Sequence, residues 1–247
     1  MKRILPTLLA MATGSILSAQ GVPPAKAPQD PPQEHRGPQE QKKGRKPAVP
    51  QVQAPKKSPK IFRVGKAIDP SLSLRTIDGK TIRFKDLLGK VVVVHFWSTR
   101  CPFVKVSDPK MVSLAKTFGS KVVFLAIDSN KTELKNKDPK APAFAELRKV
   151  AKRRKLPYPI LVDPGNKVAD RFQARTTPHC YVIDAKGILR YQGALDNDPR
   201  GRKGDRAKNY LKDAIQAVLS GKKVPQAETR AYGCSIKRIQ PKKRRRT

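Results

Sequence analysis

A chain of 247 residues has room for one ordinary domain with extensions, or at most two small ones. Its 54 Lys and Arg against 19 Asp and Glu leave a formal charge of +35, a field that attracts polyanions without any designed site. Three cysteines, Cys101, Cys180 and Cys234, are too few for a disulfide-stapled mini-fold, and their odd number leaves at least one thiol unpaired or paired only intermittently.

In chain order, residues 1–20 join Lys2 and Arg3 to an apolar run too short for a comfortable membrane span, followed by small residues. This reads as a secretory signal cleaved near Ala19, with an uncleaved membrane anchor as the alternative. The protein is therefore expected to be exported, to a periplasmic or extracellular place. Residues 21–60 carry ten prolines among Lys, Gln and Ala, and cannot bury enough surface to offset chain entropy, so a disordered spacer is expected there. The globular domain is expected over 61–221, and a basic tail over 222–247 holds Cys234 and ends in PKKRRRT. An anionic envelope polymer or a membrane surface fits this charge. No aromatic ladder interleaves the basic runs, which argues against nucleic acid.

Within the globular part, SLSLRTIDGKTIRF is two alternating runs around Asp78-Gly79, a hairpin signal. KVVVVHFW is a continuous β-branched run, as in a strand covered on both faces. Residues 103–118 place apolar side chains at helical intervals, although Pro109 should kink or interrupt that helix. A second buried strand follows at 121–128, then an amphipathic helix at 141–154, a short strand at 158–163 and a short helix at 165–172. HCYVID and ILRYQGAL form a hairpin around 185–187, and residues 207–221 a final helix stopped by Gly221. This order predicts an α/β fold, a central mixed sheet flanked by helices with an N-terminal hairpin.

That order, with HFWSTRCP, TTPHCYVID and GILRYQG, resembles the thioredoxin-like superfamily, in its redoxin branch of peroxiredoxins and exported thiol-disulfide proteins. A closer likeness is to a peroxiredoxin-like group in which CPFVK, TPH, a GxLDD-like turn and GCSIK recur; here these are Cys101 to Lys105, Thr177 to His179, Gly193 to Asp198, and Gly233 to Lys237. The resemblance implies a thiol-dependent oxidoreductase with Cys101 as the attacking sulfur. It also implies that Thr177-Pro178 is a cis-proline turn facing that sulfur, where backbone groups meet an extended substrate. Two departures stand out. Val104 replaces the second cysteine of Cys-x-x-Cys, and the Pro-x-x-x-Thr-x-x-Cys pattern of peroxiredoxins, ended at Cys101, has Val94 for the proline and Ser98 for the threonine.

Cys101 falls where a strand hands over to a helix, with Pro102 at the first helical position, and unpaired N–H groups there favour a thiolate. Arg100 and Lys105 add positive charge. Trp97 and His179 are the other candidates at the substrate rim, Trp97 chiefly as packing and otherwise as a substrate platform, His179 either for proton transfer or as a satisfied strand residue. His95 is expected to be hydrogen-bonded inside its strand, and Cys180 to be core. Cys234 has two readings: a resolving thiol that replaces the sulfur missing at 104, or part of a tail glued on by Tyr232, Ile236 and Ile239. The scattered cysteines and histidines give no metal motif, and no cofactor is called for. A thiol or disulfide protein, or a small thiol, is the expected electron donor. The rival expectation is a redox-silent module on the same scaffold that holds an anionic partner.

Overall fold

A computed structural model describes residues 60–135 and 140–239, all within one compact unit, Pro55–Thr247. The expected signal, nearly all of the spacer and the PKKRRRT terminus lie outside the described residues.

Among the described residues nine strands and five α-helices follow in order: β1 Ser73–Thr76, β2 Thr81–Arg83, β3 Val91–Trp97, α1 Pro102–Phe118, β4 Val122–Asp128, α2 Lys131–Leu134, α3 Ala145–Arg153, β5 Ile160–Val162, α4 Lys167–Arg171, β6 Thr176–Thr177, β7 His179–Ile183, β8 Leu189–Gly193, α5 Tyr210–Leu219 and β9 Cys234–Ser235. Seven strands form one sheet in the order β2-β1-β5-β4-β3-β7-β8. Its centre, β5-β4-β3, is parallel, and both flanks are antiparallel. The N-terminal hairpin joins the edge by pairing β1 with β5, and its turn uses Gly79 at φ 86, a conformation open to glycine. Strands β6 and β9 make a separate two-stranded ladder.

The unbroken apolar run of β3 is explained by two cores. Val91, Val93 and Trp97 meet α1, α3 and α5 through Met111, Leu114, Val150, Leu211 and Ile215. Val92, Val94 and Phe96 face the other side, against Phe62, Phe84, Val168, Phe172 and Ile236. Each such fully buried side chain contributes about 1.5–3 kcal/mol, so β3 is held rigidly and its C-terminal end is a firm platform.

Two expectations are corrected. Pro109 does not interrupt α1, which runs as one 17-residue helix; the proline ring is exposed, so its cost is confined to one missing N–H bond within an otherwise packed helix. The helix expected from 141 begins only at Ala145, because Pro142 and Phe144, the latter at φ 62, hold the preceding turn outside helical geometry.

Candidate active site

The site is built where β3 ends. Cys101 sits at the N-cap of α1 with extended backbone, φ −75 and ψ 120, and Pro102 opens the helix. The turn Ser98–Arg100 between strand and helix is fastened by one hydroxyl: Ser98 Oγ accepts from the backbone N–H groups of Arg100 and Cys101, each at 3.2 Å. Glu133 then holds the turn from outside. Its carboxylate accepts from Ser98 Oγ at 2.5 Å, from the Thr99 N–H at 2.6 Å and from the Thr99 hydroxyl. Arg154 adds a bond of 2.7 Å to the Thr99 carbonyl.

The Cys101 thiol donates to the carbonyl oxygen of Thr177 at 2.9 Å, and the Thr177–Pro178 peptide bond is cis. Thr177 is also the residue that β9 pairs with: Thr177 stands opposite Cys234, and Thr176 opposite Ser235. The C-terminal segment thus folds back across the site and brings Cys234 beside Cys101. Burial, then a hydrogen bond and the charge of Cys101, push the Cys234 thiol up to about 11, with Lys237 pulling the other way.

The strap is anchored along its whole length. The Thr229 hydroxyl meets Tyr191 Oη at 2.7 Å and accepts from the Ala194 N–H at 2.9 Å. Tyr232 Oη donates to Asp196 at 2.7 Å, and Asp196 is itself paired with Lys110 of α1 at 2.6 Å. Ile236 is buried, and Arg238 bonds Asp170 and the Ala174 carbonyl. Gly233, at φ 132, comes so close that a Cβ there would lie 2.0 Å from the Thr177 oxygen. Cys101 is consequently 3 % exposed. The sulfur is thus closed off from solvent, and the segment that carries the second sulfur lies across it.

The other sequence candidates divide sharply. Thr177 and Pro178 are at the site, as just described. Trp97 is fully buried beneath α1, its indole N–H donating to Asp108 at 3.1 Å, so it packs the floor and cannot touch a substrate. His179 turns toward Tyr181, Nδ1 to Oη 3.1 Å, rather than toward the thiol, and burial, with Arg175 nearby, lowers it to about 4. The Arg100 side chain is exposed; what the described structure brings to the cysteine turn is its backbone N–H on Ser98. His95 is fully buried, edge-on to Tyr158, with neither ring nitrogen hydrogen-bonded among the described residues, contrary to the bonded role expected. Cys180 is core, and burial drives its thiol far above the usual range.

Sequence reading missed Glu133, Asn130 and the floor pair Asp108–Arg154, 2.8 Å apart. Burial holds Asp108 at about 6 despite Arg154 and Trp97. The available signal was the polar run DSNKTE directly after a buried parallel strand, since the C-terminal ends of such strands are where sites collect. Among the described residues no group of His, Cys, Asp and Glu is arranged to hold a metal ion.

Comparison with known proteins agrees with this architecture. Residues 64–192, just over half of the chain, match the family model described as AhpC/TSA family. An uncharacterized conserved protein from Geobacillus kaustophilus, of known crystal structure, superposes with a TM-score of 0.63 at 31% identity, over 73% of this chain and 94% of that one. Among curated proteins, the thioredoxin-like protein YneN of Bacillus subtilis is 30% identical over 120 residues, covering 49% of this chain and 65% of YneN. The thiol-disulfide oxidoreductase ResA of Bacillus cereus is 29% identical over 127 residues, covering 51% and 66%. The chain therefore spans just under two thirds of the length of these two curated relatives.

Proposed function

This chain belongs to the AhpC/TSA family, and from that premise we propose that it is a thiol-disulfide oxidoreductase working with two sulfurs, Cys101 as nucleophile and Cys234 as resolving thiol. The observation that carries the reading is that the Cys101 thiol donates to the carbonyl of Thr177, the residue that stands opposite Cys234 in the β6–β9 pair. Cys234 supplies from the C-terminal segment what Val104, fully buried in α1, does not.

The chemistry follows from thiol exchange. The Cys101 thiolate attacks a disulfide R–S–S–R′, forms Cys101–S–S–R and expels R′–S⁻. Cys234, after losing its proton to the medium, attacks Cys101 Sγ, forms the Cys101–Cys234 disulfide and expels R–S⁻, which is protonated in turn. An external thiol donor, a dithiol protein or a small thiol, reduces the internal disulfide by the same exchange. Cys101 sits at the N-cap of α1, and the Thr177 carbonyl holds the neutral thiol in line between turns of the cycle. The incomplete peroxiredoxin pattern supports disulfides over hydroperoxides as the oxidant.

The N-terminal signal reading supports work outside the cytoplasm. No helix among the described residues is long and apolar enough to cross a membrane.

The test is a titration with a chromogenic aryl disulfide. The wild-type chain is expected to release both aryl thiolates and end as the internal disulfide. Cys234→Ser is expected to release one and retain the aryl group on Cys101, visible as an added mass. An aryl adduct retained equally by both chains would contradict the resolving role, and no adduct on Cys101 in either would favour the redox-silent binding module.

A further inference from the structure

One corner of the fold touches both halves of the candidate redox pair. The turn from β4 into α2, Asp128 to Leu134, lies next to the Cys101 turn on one side and the strap on the other. Toward the nucleophile, Glu133 takes its three bonds from Ser98 and Thr99, and Ser98 in turn receives the Cys101 N–H. Toward the strap, Asn130 Oδ1 accepts the Lys237 N–H at 3.0 Å, and the Lys131 N–H donates to the Lys237 carbonyl at 2.8 Å. Asn130 is buried and its amide also donates to the Trp97 carbonyl at 3.3 Å, at the last residue of β3, and to Asp128 Oδ1 at 3.1 Å. A single short segment therefore fixes the end of β3, the Ser98–Cys101 turn and the strand entering from Cys234.

We propose that Asn130 and Glu133 are positioning residues that hold the Cys101 turn and the Cys234 strap in register, and so set how readily the two sulfurs join. The inference rests on the two-sulfur reading above and deepens it. Neither side chain meets the reacting atoms; each acts through backbone that carries them. An intramolecular disulfide competes with an external thiol in proportion to the effective concentration of one sulfur at the other, and that quantity falls steeply when either partner gains freedom. Glu133 is suited to the task because an ionised carboxylate accepts on both oxygens and makes stronger bonds to N–H and O–H than a neutral acceptor does. Its charge faces Asp128, whose carboxyl is held well above the usual range by burial and by Glu133 itself, and lies near Arg154 on Thr99.

The balance to be measured is Cys101-SH plus Cys234-SH plus oxidised glutathione, against the internal disulfide plus two reduced glutathiones. In the full-length protein, equilibrated in glutathione buffers and quenched with acid, Glu133→Gln keeps the shape but donates where one carboxylate oxygen accepted. It is expected to shift the equilibrium toward the dithiol by about tenfold, the size of one lost bond to a charged acceptor. Asn130→Ala is expected to shift it in the same direction. Glu133, half-buried and replaced isosterically, serves if Asn130→Ala fails to fold. A merely structural role would lower the melting temperature and leave this equilibrium where it is in the wild type, and that outcome in the folded variants would overturn the proposal. If the wild type itself forms no internal disulfide, the two-sulfur reading fails; if it does and the variants match it, only this inference fails.

Discussion

Cys101, at the helix start that follows β3, and Cys180, the second residue of β7, are both free and both buried. They differ in what lies within reach of the sulfur. Around Cys180 the chain supplies strand neighbours, with His95 and Gly193 opposite it, and burial, with the charge of Asp196, drives the thiol far up. Around Cys101 it supplies a helix start, a carbonyl acceptor and a second thiol. Burial by itself silences a cysteine; a helix start, an acceptor and a second thiol within reach of the same sulfur are what the proposed exchange chemistry rests on.

The sharpest break of that comparison is a pair of substitutions. Cys101→Ser is expected to abolish turnover with dithiol donors, whereas Cys180→Ser is expected to keep it and to lose about 1–3 kcal/mol of stability for a hydroxyl placed without a designed partner. Denaturant melts and a disulfide-reduction assay on both variants read this directly, and turnover retained by Cys101→Ser would erase the distinction.

Next in size is the strap. Gly233→Ala places a methyl against the Thr177 oxygen at a φ that disfavours side chains, a strain of order 1–3 kcal/mol from the backbone alone. Internal disulfide formation in a fixed glutathione buffer is expected to drop by about tenfold or more, with the Cys101 adduct of the aryl disulfide still formed. Unchanged disulfide yield would mean that the close approach at Thr177 does not set the register.

The floor of the site titrates, and the effect there is smaller. His95 is lowered to about 3 by burial, so the folded state keeps it neutral while the unfolded chain takes up a proton below its ordinary value of 6.5. The unfolded state then binds more protons, and stability falls as pH drops, by about 1.4 kcal/mol per unit between roughly 6 and 3. His179, lowered to about 4, acts in the same direction, while Asp108 and Asp128, both raised, hold protons in the fold and act in the opposite one. The His95 share is therefore read as the difference between wild type and His95→Phe, which should change by that slope below pH 6 and stay constant above 7. A constant difference throughout would show that His95 does not titrate on unfolding.

Much of the fold was legible because it depends on local pattern. The β-branched run of β3, the Asp78-Gly79 turn and the spacing in α5 each state their conformation within a few residues. The place of Cys101, the proposed nucleophile, was legible for the same reason, as Cys-Pro where a strand hands over to a helix. For Trp97, His179 and Arg100 the spacing left the direction of the side chain open, because packing settles it: the Asp108 carboxylate takes the Trp97 indole N–H, Tyr181 two residues along its own strand meets His179, and Arg100 points to solvent. Glu133 and Asn130 act across 34 and 107 residues of chain, to Thr99 and to Lys237, and no local spacing encodes such a pairing. Cys234 stood between these cases, with a legible motif and an illegible destination, since only the β6–β9 ladder says that GCS lands on Thr177.

The account turns on one bond. The full-length protein, oxidised with a small disulfide, alkylated and cut with trypsin, should yield by mass spectrometry the peptide 101–105 joined through Cys101 to the peptide 231–237 through Cys234, with Cys180 still reduced in 176–186. Recovery of Cys101 and Cys234 as separate species, or of a cross-link through Cys180, would contradict it.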